Sequence, residues 1–270
     1  MADPMNDLSR LAIHTITHRP WSASECIGRF AAAGVPGITF WRYHFEKESP
    51  AGLRKQVGDA GLTTVALARG GFFTSEDWWD DNRRAVEEAE ALGAPQLVLV
   101  CGARPDRALE ASRRQIAERI GQLLPIARAA GVNLAIEPLH PMYAADRSAI
   151  NTMAQAHAVC DALGSPEGLG IAVDVYHTWW DPDLEAGIAR AGETGRLLSF
   201  HVCDWRSPED LLNDRALMGE GCIDLRRIRG WVEAAGFRGF CEAEIFSNRW
   251  WASDQDAYLK TIKTAYLQHV

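Results

Sequence analysis

The feature that most constrains this chain is a period. Eight short runs rich in apolar and β-branched residues alternate with eight longer amphipathic stretches. The runs that read as strands are Leu11–Ile16, Gly37–Trp41, Thr63–Ala68, Gln96–Cys101, Val132–Glu137, Leu169–Asp174, Leu197–Val202 and Phe240–Ile245. The stretches at helical spacing are Ala23–Ala33, Ala51–Ala60, Asp77–Leu92, Leu109–Ala130, Thr152–Leu163, Pro182–Ala191, Leu225–Ala235 and Asp254–Leu267. Glycine follows six of them, at Gly34, Gly61, Gly93, Gly131, Gly164 and Gly236. Glycine takes the left-handed conformation that ends a helix at little steric cost, so it is the expected terminator. Runs such as Gln96-Leu-Val-Leu-Val are apolar throughout, as parallel strands covered on both faces require. With no Pro/Ser-rich linker between halves, the pattern predicts an α/β chain, one (β/α)8 barrel over residues 1–270. An open doubly wound sheet would need a Gly-rich phosphate turn after the first strand, and Ile13-His-Thr-Ile-Thr-His is not one.

Such a barrel gathers its chemistry where the C-terminal ends of the strands meet the following loops. The last residues of the eight runs include His14, Trp41-Arg42, Arg69, Cys101, Glu137, Asp174, His201 and Glu244. Four of these, Glu137, Asp174, His201 and Glu244, are metal-ligand types on the fifth to eighth strands in order. A carboxylate ending an apolar strand is costly to bury unless it is paired or bound to a cation. Each alone reads equally well as a strand-end residue in a structural ion pair; four converging on half the mouth do not. Three carboxylates and one imidazole make an oxygen-rich site for one divalent cation. Mn²⁺ comes first, with Mg²⁺, Co²⁺ or Zn²⁺ compatible, because structural zinc prefers Cys and His.

Composition excludes other classes. Lys plus Arg number 28 against 36 Asp plus Glu, a net charge of -8, which works against a nucleic-acid partner. No run approaches the length of apolar sequence that a membrane span needs, so no membrane partner is expected. The six cysteines are scattered, without a CxxC pair, and suit reduced thiols. With a polar, acidic N-terminus in place of a signal-like segment, the expected location is cytoplasmic.

Five segments carry a resemblance: Ala135-Ile-Glu137-Pro, Val173-Asp174-Val-Tyr-His177, Phe200-His201-Val-Cys-Asp204-Trp-Arg206, Gly219-Glu-Gly-Cys-Ile-Asp224 and Glu242-Ala-Glu244-Ile-Phe. Together they resemble the xylose-isomerase-like TIM-barrel superfamily, nearest its sugar isomerase/epimerase branch with the ketose 3-epimerases and inosose dehydratases. The resemblance spans essentially the whole chain and leaves the substrate open. It implies that Glu137, Asp174, His201 and Glu244 hold one divalent cation, and that the two glutamates flank the carbon whose proton moves. It also implies that His177 and Arg206 hold substrate oxygens. By analogy, a homo-oligomer acting on a small carbohydrate is expected.

The chemistry that follows is proton transfer next to a carbonyl: one carboxylate takes a proton, the other returns one, and the cation stabilises the enediolate charge. Glu137 and Glu244 form the expected acid/base pair. The alternative is a lyase of the inosose dehydratase or C-glycoside deglycosidase type, in which a β leaving group follows the lost proton. A DNA-repair endonuclease of the same superfamily would need several zinc ions and many more than eight histidines. His140 reads equally as a substrate contact, a proton donor to a leaving group, or a loop histidine fixed by its flanking prolines. His14 is expected to face substrate, with a barrel-floor residue as the alternative, and Trp41 to stack on the sugar. Arg69, before two glycines, fits an anion cradle or a tight turn alike. Most of the ten tryptophans follow strands, so the loop side is expected to be aromatic and to select unphosphorylated sugars or glycosides, or else to form an oligomer contact.

Overall fold

The computed structural model describes residues 2–270. Eight strands close into a barrel in chain order, with every neighbouring pair parallel and β1 (Leu11–His14) joined to β8 (Cys241–Ala243). Between these run β2 (Gly37–Trp41), β3 (Thr63–Gly71), β4 (Gln96–Val100), β5 (Asn133–Ile136), β6 (Leu169–Asp174) and β7 (Leu197–Val202). The helices are α1 (Ala23–Ala32), α2 (Pro50–Asp59), α3 (Trp78–Leu92), α4 (Leu109–Ala129), α5 (Met153–Ala162), α6 (Val175–Thr178), α7 (Leu184–Glu193), α8 (Leu225–Ala234), α9 (Asn248–Trp251) and α10 (Gln255–His269). α6 and α9 are single turns in the loops after β6 and β8, and the other eight helices alternate with the strands as the outer layer. The expected (β/α)8 barrel is thus the fold. Among the described residues no helix is long and apolar enough to cross a membrane.

Strand alternation divides the core. Leu67, Leu97, Leu134 and Ile171 belong to one large buried cluster with helix residues such as Phe30, Leu53, Ile120 and Ile188. Each such side chain contributes about 1.5–3 kcal/mol when fully buried. The alternate positions Ala66, Val98, Ala135 and Ala172 form a separate small cluster inside the barrel, where the narrow lumen of eight strands favours small side chains. Local signals set the helix ends: Ser22 and Glu25 form a reciprocal capping box at α1, and Gly93 ends α3 at φ 76°.

Two boundaries differ from expectation in ways that matter for the site. β1 ends at His14, where the chain turns into a 3-10 helix over Thr15–His18. β3 runs on through Arg69, Gly70 and Gly71, because Asn82 of α3 pairs with both the Gly71 N–H and C=O at 2.7 Å. The β3–β4 register shifts between Ala68 and Gly70, so Arg69 is a bulged residue. A bulge re-aims the side chain it carries.

Candidate metal centre

Residues two apart on a strand share a face. Glu137 therefore follows Ala135 toward the lumen, Asp174 follows Ala172, His201 follows Ser199 and Glu244 follows Glu242. Parallel pairing sets Asp174 beside His201 and His201 beside Glu242. Asp174 ends β6 and His201 lies one residue inside β7, whereas Glu137 and Glu244 sit one residue beyond β5 and β8. One ligand atom from each of Glu137, Asp174, His201 and Glu244 lies within 4.8 Å of all the others, and all four residues are buried.

Beneath this quartet is a second polar tier. Glu242, also buried, accepts a 2.5 Å hydrogen bond from Thr39 Oγ1. Its Oε2 lies 3.3 Å from His14 Nε2, and its Oε1 lies 3.8 Å from His201 Nε2. The opposite edge of each ring faces the quartet: His201 Nδ1 is 3.0 Å from Glu137 Oε1, and His14 Nδ1 is 3.0 Å from Glu244 Oε1. Burial opposes a charge on His201, but Glu242, Glu137 and Glu244 outweigh it and push the imidazole up to about 10. Burial is likewise outweighed at His14, which Glu244 and Glu242 shift upward.

Arg215 completes the charge balance. Its guanidinium lies between the rings of Tyr176 and Phe246, 4.5 and 4.8 Å from their centroids. Nη1 donates to Asp174 Oδ2 at 3.0 Å and to Glu244 Oε2 at 2.6 Å, and Nη2 lies 3.2 Å from His177 Nε2. Burial would raise the Glu244 carboxyl, but Arg215 and then His14 hold it well below the usual range. Asp174, wholly buried, is shifted upward by that burial despite Arg215. The side chains present fit a cation. Three carboxylates converge on one point with the Nδ1 edge of an imidazole, and they already draw the Arg215 guanidinium and the His14 ring to it.

Above the quartet opens a cavity of about 590 Å³, lined by Glu137, Glu244, His177, Arg215, Trp41 and Trp251 among others. The buried His177 accepts from the His140 N–H at Nδ1, and its Nε2 lies 3.2 Å from Arg215 Nη2 and 3.6 Å from Asp174 Oδ2; burial and then Arg215 push it well below the ordinary histidine value. The remaining expected contacts fall elsewhere. His14 is wholly buried under Glu244, within 3.2 Å of the Trp41 indole nitrogen, and does not line the cavity. His140 stacks on Trp205 at 4.6 Å, and its backbone N–H donates to His177 Nδ1. Arg206 pairs with Asp214 and is absent from the lining.

Sequence reasoning missed Arg215, Tyr176 and Phe246. Arg215 comes from the long loop between β7 and α8, where an Asp204–Ala216 bridge and an Arg215 N–H bond to Phe246 O bring the loop back over the mouth. Asp204 organises that loop by accepting from the N–H groups of Gly219, Gly221 and Ile223 at 2.9–3.0 Å. The signal for Arg215 was faint, since it is one arginine among several in a loop.

Comparison with known proteins agrees with this architecture. The chain is 44% identical to protein SMc04130 of Sinorhizobium meliloti 1021, covering 97% of this chain and 99% of that one, with a TM-score of 0.93. The IOLI protein, solved with a bound zinc atom, shares the fold at 18% identity and a TM-score of 0.84, covering 97% and 98% of the two chains. An inosose isomerase of Halalkalibacterium halodurans is 24% identical over 190 residues, 68% of this chain and 65% of its own length. The xylose isomerase-like TIM barrel model matches residues 27–265. The chain belongs to the xylose isomerase-like TIM barrel family.

Proposed function

We propose that this protein is a divalent-cation-dependent isomerase or epimerase of a sugar or keto-cyclitol, moving a proton at the carbon next to a carbonyl. The observation that carries the reading is that Glu137 and Glu244 belong to the ligand quartet and also line the cavity, from β5 and β8 across the barrel. Glu137, Asp174, His201 and Glu244 would hold the cation. Bound there, it would supply Lewis-acid charge for the developing enediolate, an effect worth several kcal/mol. One glutamate takes the proton from one face of the substrate and the other returns a proton; both on one carbon gives epimerisation, and return to the neighbouring carbon gives isomerisation. Neutral His177 and Arg215 orient substrate oxygens from the side of the mouth. The oxygen-rich donor set favours Mn²⁺, Mg²⁺ or Co²⁺, while the zinc in the IOLI structure keeps Zn²⁺ in the comparison.

The test is incubation of free ketoses, inososes and 3-keto-glycosides in deuterated water with each of these four cations. Cation-dependent replacement of a substrate hydrogen by deuterium, with no group lost from the substrate, is the expected result. Glu137→Gln and Glu244→Gln should each lower it roughly 10²–10⁴-fold, the usual range for a lost acid/base group. Loss of a leaving group would point to the lyase chemistry, which the placement of His140 away from the cavity does not favour. Absence of exchange with every cation would overturn the reading.

A further inference from the structure

Five arginines line the cavity: Arg19, Arg42, Arg69, Arg147 and Arg215. Two are accounted for. Arg215 holds Asp174 and Glu244. Arg42 is bound by Glu88 at 2.5 Å and by Asp81, and its Nη1 supports the Arg69 carbonyl at 3.3 Å. The three lining carboxylates are spoken for as well. Glu137 and Glu244 belong to the quartet, and Asp81 divides its oxygens between Arg42 and Arg84.

Arg19, Arg69 and Arg147 form no ion pair among the described residues. Each meets only an aromatic ring: Trp251 at 5.0 Å, Phe72 at 4.2 Å and Tyr143 at 5.9 Å. Two of them are held by built backbone. Arg69 is the bulged residue of β3. The Arg147 carbonyl accepts from the Gly102 N–H at 2.8 Å, tying its loop to the end of β4. Both residues line one cavity without an ion pair of their own, and the nearest opposing charges on Arg69 are those of Asp81 and Glu137. Burial, and next the charge of Arg147, bring Arg69 down to about 10. A planar guanidinium pair in this setting matches a carboxylate or phosphate.

We propose that the mouth of the barrel contains an anion subsite, formed by Arg69 and Arg147 with Arg19 at the rim, that takes the oxyanion substituent of a charged sugar. The subsite deepens the proposed sugar chemistry and rests on it for the rest of the ligand. It runs against the expectation that the mouth selects uncharged substrates, while Trp41, Tyr43, Tyr143, Phe246 and Trp251 keep the lining partly aromatic.

The experiment is equilibrium binding by calorimetry to the Mn²⁺-loaded protein and to chelator-treated protein. The three probes differ only at one end: D-fructose, D-fructose 6-phosphate and D-fructuronate. At least one charged probe should bind tenfold or more tightly than D-fructose, and which one does so identifies phosphate or carboxylate as the anion. Arg69→Gln and Arg147→Gln should each remove most of that advantage and leave D-fructose binding unchanged, while Arg69→Lys keeps part of it. Neither arginine has a carboxylate partner to strand, and thermal melts of the variants check their folding. Equal binding of all three probes, or a preference that survives Arg69→Gln/Arg147→Gln together, would overturn the subsite. An arginine-dependent preference in a protein that exchanges no solvent deuterium would support the subsite and sink the proposed reaction. Exchange on D-fructose with no charged preference would do the reverse.

Discussion

Glu242 touches neither cavity nor quartet centre, yet it faces the far nitrogens of both His14 and His201. A carboxylate behind a metal-ligating histidine fixes the ring and raises its basicity, and losing it typically costs 10–100-fold in metal affinity. Glu242→Gln should therefore weaken Mn²⁺ binding by roughly that factor in a chelator competition, with circular dichroism showing a folded barrel. The sequence made part of this legible. In Glu242-Ala-Glu244 both acids must face the same way, and the quartet could be placed by counting strands. What it did not carry was depth. His14 reads as substrate-facing, or else as a barrel-floor residue, and the structure sets its ring in the lower tier beside Glu242. Arg206 stands at a suggestive distance from His201, yet the loop turns it onto Asp214 and delivers Arg215 instead. Such long-loop geometry is set by contacts distant in sequence, here Asp204 with Ala216 and Arg215 with Phe246.

Among the elements, β2, β6 and β7 coincide with the apolar runs read from the sequence. Their boundaries are marked by abrupt changes of residue type. β3 does not, because a Gly-Gly pair ordinarily signals a turn, whereas here Gly70 and Gly71 pair with Leu99 and Val100 of β4 and the Asn82 side chain holds both backbone groups of Gly71. Gly71 there has φ +111°, and a Cβ would stand 2.0 Å from the Val100 carbonyl oxygen. Gly71→Ala should destabilise the protein by roughly 1–3 kcal/mol, the cost of a residue forced into so strained a backbone, read as a lower urea midpoint at unchanged slope. Because Gly71 ends the short stretch of β3 that follows the bulged Arg69, the charged-probe preference should fall with it, even where the variant remains folded.

At the scale of the whole barrel, a ligand that binds the folded chain alone stabilises it by mass action. A cation at a hundred times its dissociation constant contributes about 2.7 kcal/mol, which for a chain of this size raises the melting temperature by roughly 5–10 °C. Saturating Mn²⁺ should produce that shift in calorimetry, chelator should abolish it, and Asp174→Asn should blunt it. Arg215 sets what is left after chelation. Its charge faces Asp174 and Glu244, while the same carboxylates and their neighbours shift His14 and His201 upward. The lumen thus carries its own ballast. An ion arriving at this point would have to displace the Arg215 guanidinium from two acids it already grips.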